Sequence, residues 1–181
     1  MTATRGTIPA SASETRVVRL TVSTALCVTI ELNDPARFNA QSKPLLSDLK
    51  NAVRALFELQ FYTAIAAMAF SGVGVHFCTG GDLSPRKDAL EGQPESNLQD
   101  LTASLWDQSH VVRQMRELRM IKCGAVFGKL IGGGVAFALV TDWRCCSRSA
   151  TFNYGNLPRG VNPLFMFSKA LPRLVGESVG F

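Results

Sequence analysis

Apolar and polar side chains alternate from Val17 to Ser23 and again from Ala25 to Leu32, with β-branched residues prominent in both runs. A period of two predicts two strands, joined tightly at Thr24. Asn33-Asp34-Pro35 then marks a turn. From Ser42 or Lys43 the period lengthens: Leu45, Leu46, Leu49, Val53, Leu56 and Phe57 fall on one face of a predicted helix, with Pro44 in an early position where proline is tolerated. Ala64 to Ser71 is continuously apolar and stops at Gly72, as in a buried strand of a parallel sheet. Ser84 to Asn97 is polar and holds Pro85, Gly92 and Pro94, which predicts a mobile loop. Leu98 to Leu118 returns to helical spacing through Leu101, Leu105, Val111, Val112 and Met115. Cys123 to Phe127 is predicted as the next buried strand, and a glycine triplet then opens a helix through Val140. Asp142 to Cys146 and Ala150 to Phe152 are predicted as short strands, and Asn162-Pro163 begins another helix. Strand-rich and helical stretches alternate as in an α/β fold.

Two glycine clusters interrupt this pattern. Phe77-Cys78-Thr79-Gly80-Gly81-Asp82-Leu83 follows one apolar strand, and Gly128-Lys129-Leu130-Ile131-Gly132-Gly133-Gly134 follows another. Glycine lets the backbone approach a ligand closely and adopt angles other residues avoid. One such turn is ordinarily structural. Two brought together aim two N–H donors at one oxygen, the arrangement of an oxyanion hole.

Composition narrows the reading. A chain of 181 residues, 46% hydrophobic and 18% charged, is long enough for one domain with a substantial core. The net charge of +5 is spread along the sequence without a basic run interleaved with aromatics, which argues against nucleic acid. It leaves an anionic small molecule, an acidic carrier partner, or a generally solvated basic surface. The five cysteines, Cys27, Cys78, Cys123, Cys145 and Cys146, form no CxxC pair and read as reduced, buried thiols of a cytoplasmic protein. With only His76 and His110, a histidine-rich zinc site is not expected, and both histidines read as packed or solvated. No apolar run approaches the ~18–20 residues of a membrane span. Residues 1–15, rich in Ser, Thr and Ala with Arg5 and Glu14, read as a disordered tail rather than a transit segment.

The order and spacing of several segments resemble the crotonase, or enoyl-CoA hydratase/isomerase, superfamily. They are Val28 to Pro35 running into Phe38-Asn39-Ala40, Phe77 to Leu83, Gly128 to Gly134, Ala138 to Arg144, and Ala150-Thr151-Phe152. The resemblance covers about residues 16 to 175. It implies an α/β spiral of ββα units over residues 16–181, usually assembled as trimers. Family members continue with further C-terminal helices that complete the acyl pocket and trimer contacts, so the domain is expected to be C-terminally truncated. The resemblance also implies that Gly81 and Gly133 supply two N–H groups to a thioester carbonyl oxygen. By the same likeness, the segment with Arg37, Phe38 and Ala40 lines the adenine and pantetheine pocket, and Arg37 and Lys43 are candidates for phosphates. No separate cofactor is implied: the substrate rides on coenzyme A or on the phosphopantetheine of an acyl carrier protein, with no membrane or nucleic-acid partner.

One departure from the family pattern bears on the reaction. The hydratases use two glutamates; their positions here hold Ala136 and Asn156, neither of which exchanges a proton near neutral pH. Three readings follow. The first is lyase chemistry through an enolate, decarboxylation ahead of dehydration, with Tyr154 and Asn156 orienting a carboxylate. The stretch Leu157 to Pro163 is similar to relatives in polyketide β-branching. The second is a hydratase or isomerase whose base has moved, Asp82 or His76 being nearest. The third is a non-catalytic domain that keeps the fold for thioester binding or assembly.

Overall fold

The computed structural model describes residues 17–23, 26–62, 64–82, 106, 109–155 and 167–180. β1 (Val18–Val22) and β2 (Cys27–Leu32) pair antiparallel, with Leu20 opposite Ile30. Alternation decides which side of β2 is core: Val28, Ile30 and Leu32 are fully buried. A short 3-10 turn at Pro35–Arg37 leads into α1 (Lys43–Leu59). Ser42 caps that helix, its side chain accepting from the Leu45 N–H at 3.4 Å. Leu45, Leu46, Leu49, Val53 and Leu56 turn inward as their spacing predicts, and Phe57 is only half-buried. Each fully buried leucine contributes about 1.5–3 kcal/mol.

β3 (Ala67–Gly72) lies parallel to β2, with Ile30 opposite Phe70. Residues 109–117 form α2, which adds Val111, Val112 and Met115 to the core. β4 (Ile121–Val126) continues the parallel sheet. Then come β5 (Lys129–Ile131), α3 (Gly133–Leu139), β6 (Trp143–Cys146) and β7 (Thr151–Asn153). The main sheet has the order β1-β2-β3-β4-β6, and β5 pairs parallel with β7 in a second sheet of two strands. α4 (Phe167–Val175), with Pro172 inside it, and α5 (Glu177–Gly180) follow. This is an α/β architecture of ββα units.

Two expectations change. The side-chain pattern does not predict β5 within the second glycine cluster. That strand has three residues and too little apolar periodicity to signal itself, and its strand character comes from pairing with β7. The cysteines are not uniformly buried: Cys78 is, Cys27 and Cys123 are partly exposed, and Cys145 and Cys146 on the edge strand β6 are exposed. A charged residue also enters the interior, for Lys122, on the core face of β4, is buried. Its ammonium donates to Leu118 O and Met120 O at 3.1 Å each and pairs with Asp142 at 3.1 Å, closing the chain after α2. The tail at 1–15, the loop at 84–97, the start of the predicted helix at Asn162-Pro163 and most of the residues from 98 to 108 lie outside the described residues. Among the described residues no helix is long and apolar enough to cross a membrane.

Candidate functional site

The first glycine turn is stitched to a different segment on each side. Toward the second cluster, the Phe77 N–H donates to Phe127 O at 3.0 Å, Cys78 bridges Leu130, and the Ile131 N–H donates to Cys78 O at 3.2 Å. Toward the chain before α1, the Thr79 N–H donates to Phe38 O at 3.2 Å and the Gln41 N–H to Gly80 O at 2.7 Å, with Gln41 and Gly81 forming a parallel bridge. The second turn is pinned by β7, where the Gly132 N–H donates to Asn153 O at 2.8 Å. Beneath both turns, Phe70 of β3 packs edge-on against Phe77 at 5.4 Å and Phe137 of α3 at 5.9 Å. The apolar residues that flank the glycines thus lock the two turns together.

Two glycine conformations make this approach possible. Gly80 has φ +84°, and a methyl group on it would stand 3.2 Å from the Ile131 carbonyl carbon and 3.4 Å from Gly133 N. Gly132 precedes α3 at φ 49°, ψ −112°, a region only glycine enters readily. Gly133 thus lies against the first turn at Gly80, the neighbour of Gly81. Gly133 is the first residue of α3, so its N–H has no acceptor in the helix. Among the described residues neither it nor the Gly81 N–H has a hydrogen-bond acceptor. Among the described residues the space over Gly81 is open: a methyl group there would meet none of their atoms within 4 Å.

The remaining predicted residues distribute unevenly. Tyr154 directly follows the β7 residue that holds Gly132, and it packs against the core. Burial pushes its hydroxyl up to about 12, so it stays protonated at neutral pH and is no general base there. Asn156 lies outside the described residues. Ala136 is buried in α3 among core residues. Ala40 is buried, whereas Phe38 is half-exposed and tilts against the His76 ring at 5.2 Å. Arg37, largely exposed, lies 3.6 Å from Asp82 and 3.9 Å from Asp34. Lys43 is exposed at the start of α1. Asp82 is therefore a brace to Arg37. His76 is engaged as well, its Nδ1 accepting the Lys129 N–H at 3.2 Å. Among the described residues no three His, Cys, Asp or Glu side chains group as a metal site.

Sequence reasoning does not single out two further residues of the site. Asn39 is fully buried in the left-handed region, φ 54°. Its two Nδ2 hydrogens are shared among the carbonyls of Val73, His76 and Phe77, at 3.0, 2.9 and 3.2 Å from the nitrogen, and its Oδ1 accepts the Asp34 N–H at 2.8 Å. It ties the chain before α1 to the approach of the first glycine turn. Gln41 is the other, and it carries a legible signal. It sits just before the cap Ser42, where an apolar residue commonly packs against the fourth helical position, here Leu46.

Burial acts on Cys78 as it does on Tyr154, pushing its thiol up to about 12 from 9.0. Both groups are held protonated in the fold. On their account stability is full below pH 9 and is lost as pH rises through their folded values near 12. Thermal melts from about pH 7 to 11.5 should therefore fall only at the alkaline end. Maleimide at about pH 8 should label Cys145 and Cys146 in the native protein and reach Cys78 only after unfolding; native labelling of Cys78 would contradict its burial.

Comparison with known proteins agrees with this geometry. The sequence profile of the enoyl-CoA hydratase/isomerase family matches residues 23–180. The chain is 30% identical over 156 residues to a probable enoyl-CoA hydratase, echA12, of Mycobacterium tuberculosis, covering 84% of this chain and 53% of the relative. It is 29% identical over 150 residues to a 4-chlorobenzoyl coenzyme A dehalogenase of an Arthrobacter species, covering 82% of this chain and 51% of the relative. The chain thus spans about half the length of these relatives. Among solved structures, an enoyl-CoA hydratase of Mycobacterium smegmatis superposes with a TM-score of 0.75 at 25% identity, covering 91% of this chain and 60% of the other. The enoyl-CoA hydratase of Bacillus anthracis shares the fold, with a TM-score of 0.75 at 24% identity and coverages of 88% and 58%. A profile match over most of the chain, on a fold that brings the two glycine turns together, shows that the chain belongs to the enoyl-CoA hydratase/isomerase family.

Proposed function

We propose that the domain binds an acyl thioester, carried on coenzyme A or on a carrier protein, with the carbonyl oxygen between the Gly81 and Gly133 N–H groups. The observation that carries this reading is the approach of the two glycine turns, Gly80 against Gly133, with the Gly81 and Gly133 N–H groups both lacking acceptors among the described residues. When a thioester forms an enolate, negative charge collects on that oxygen. Two fixed donors stabilise it, each typically worth roughly 2.7–4 kcal/mol at the transition state.

Three residues support a choice of reaction. Ala136 is buried carbon, Asp82 is held by Arg37, and the Tyr154 hydroxyl keeps its proton. Loss of carbon dioxide from an acyl chain needs no base. The C–C bond breaks, its electron pair becomes the enolate, the charge rests on the thioester oxygen, and the enolate is later protonated from solvent. The domain is accordingly a lyase of the decarboxylating type first, and a dehydratase of 3-hydroxyacyl thioesters second. A protonated Tyr154 suits it to hydrogen-bond a substrate carboxylate or hydroxyl.

The decisive comparison is carbon dioxide release from 3-methylglutaconyl-CoA against hydration of crotonyl-CoA, beside calorimetric binding of acetyl-CoA and free coenzyme A. Release of carbon dioxide with little hydration is expected. Efficient hydration would mean that a base acts where Ala136 and Asn156 stand. Thioester binding without turnover of either substrate would leave a thioester-binding domain without catalysis.

A further inference from the structure

Gln41 connects the two glycine turns through different parts of one residue. Its N–H donates to Gly80 O at 2.7 Å and it bridges Gly81, while its carboxamide lies on Gly133. A methyl group on Gly133 would stand 2.6 Å from Gln41 Cδ and 2.7 Å from Nε2. The side chain is 4% exposed, and its Oε1 has no hydrogen-bond partner among the described residues. A buried carboxamide oxygen left unbonded is costly, and such groups are uncommon in folded proteins. The fold has no need of it. A leucine or methionine before Ser42 would pack against Leu46 without stranding a polar atom. The stranded oxygen instead lies beside the glycine whose N–H is free to bind a ligand.

We propose that Gln41 is a specificity-determining residue of the thioester site, hydrogen-bonding a hydroxyl on the α- or β-carbon of the acyl chain. This rests on the thioester reading above. With the carbonyl oxygen at Gly81 and Gly133, the next carbons of the acyl chain run past the carboxamide seated on Gly133. The orphan atom is an acceptor, and a hydroxyl supplies the missing donor. A hydroxyl also accepts from Nε2, so it satisfies the carboxamide in either orientation of its oxygen and nitrogen. An unsubstituted acyl chain would leave Oε1 unbonded in the complex.

The test is calorimetric binding of butyryl-CoA, 2-hydroxybutyryl-CoA, 3-hydroxybutyryl-CoA and free coenzyme A to the unmodified protein and to two variants. The unmodified protein should prefer one hydroxyacyl thioester over butyryl-CoA by roughly tenfold or more, the scale of one hydrogen bond to a buried group. Gln41→Met, nearly the same shape, should keep butyryl-CoA affinity, reduce the preference to about twofold or less, and melt no lower than the unmodified protein, because it removes an unsatisfied group. Gln41→Glu keeps an acceptor and should keep the preference at about pH 8. Equal binding of butyryl and hydroxybutyryl thioesters by the unmodified protein overturns this role and leaves the thioester reading standing. So does a preference that survives Gln41→Met. If no thioester binds more tightly than free coenzyme A, the thioester reading fails and this inference falls with it.

Discussion

Asn39→Ala should cost the fold roughly 3–5 kcal/mol, as much as truncating a fully buried phenylalanine of the core. The carboxamide of Asn39 serves four backbone groups: its Oδ1 accepts the Asp34 N–H, and its two Nδ2 hydrogens are shared among the carbonyls of Val73, His76 and Phe77. Each buried group left without a partner costs about 1–3 kcal/mol, reduced where water can enter. Alanine at φ 54° adds roughly 1–2 kcal/mol, because the left-handed region is poorly tolerated once the asparagine side chain is gone. Against a whole-domain stability of about 5–15 kcal/mol, such a loss is severe. Asn39→Gly separates the two contributions, since it relieves the backbone but still removes the bonds. Urea denaturation at constant m value measures both. A loss below about 1 kcal/mol for Asn39→Ala would show that the four bonds do not hold the segment in solution. The site should suffer before global unfolding, because Asn39 positions the segment that hydrogen-bonds to Thr79 and Gly80.

Three neighbouring glycines should respond in opposite ways to a single methyl group. At Gly80 a Cβ collides with the Ile131 backbone, and φ is +84°, so Gly80→Ala should lose about 3 kcal/mol from strain and overpacking together. At Gly134 a Cβ would meet the backbone of Cys78, including its carbonyl carbon at 2.9 Å, and Gly134→Ala should push α3 off the first turn at similar cost. At Gly81 no atom of the described residues lies within 4 Å of the new atom, so Gly81→Ala should keep stability within about 0.5 kcal/mol. Gly81→Pro is the functional probe. It deletes the N–H proposed to bind the thioester oxygen and should lower turnover by roughly 10²–10³. If Gly81→Pro folds and turns over unchanged, the donor pair is not the centre of the chemistry. If Gly80→Ala is as stable as Gly81→Ala, the close approach of the two turns is wrong.

Much of the scaffold is legible in the order of side chains. The alternation in β1 and β2, the apolar face and serine cap of α1, and the continuous apolar run ending in β3 are local patterns, and each fixes its own element. The paired glycine clusters are legible too, because close backbone approach requires residues without a Cβ. That the Ala136 side chain can exchange no proton is likewise legible at one position. The structure adds that Ala136 is buried in α3 among core residues.

What sequence order alone leaves undetermined is whatever depends on partners distant along the chain. β5 exists because β7 pairs with it, and a three-residue strand has no period long enough to announce itself. Arg37 reads equally well as a phosphate ligand until Asp82, forty-five positions away, is found beside it. Asn39 is an ordinary polar residue in a turn until the fold closes three carbonyls around it. Local patterns determined β1 to β3, helix α1 and the glycine turns of this protein, because backbone geometry and burial act over a few residues. Only the tertiary structure decided which polar groups meet, because hydrogen bonds and ion pairs depend on distances in space that spacing along the chain does not encode.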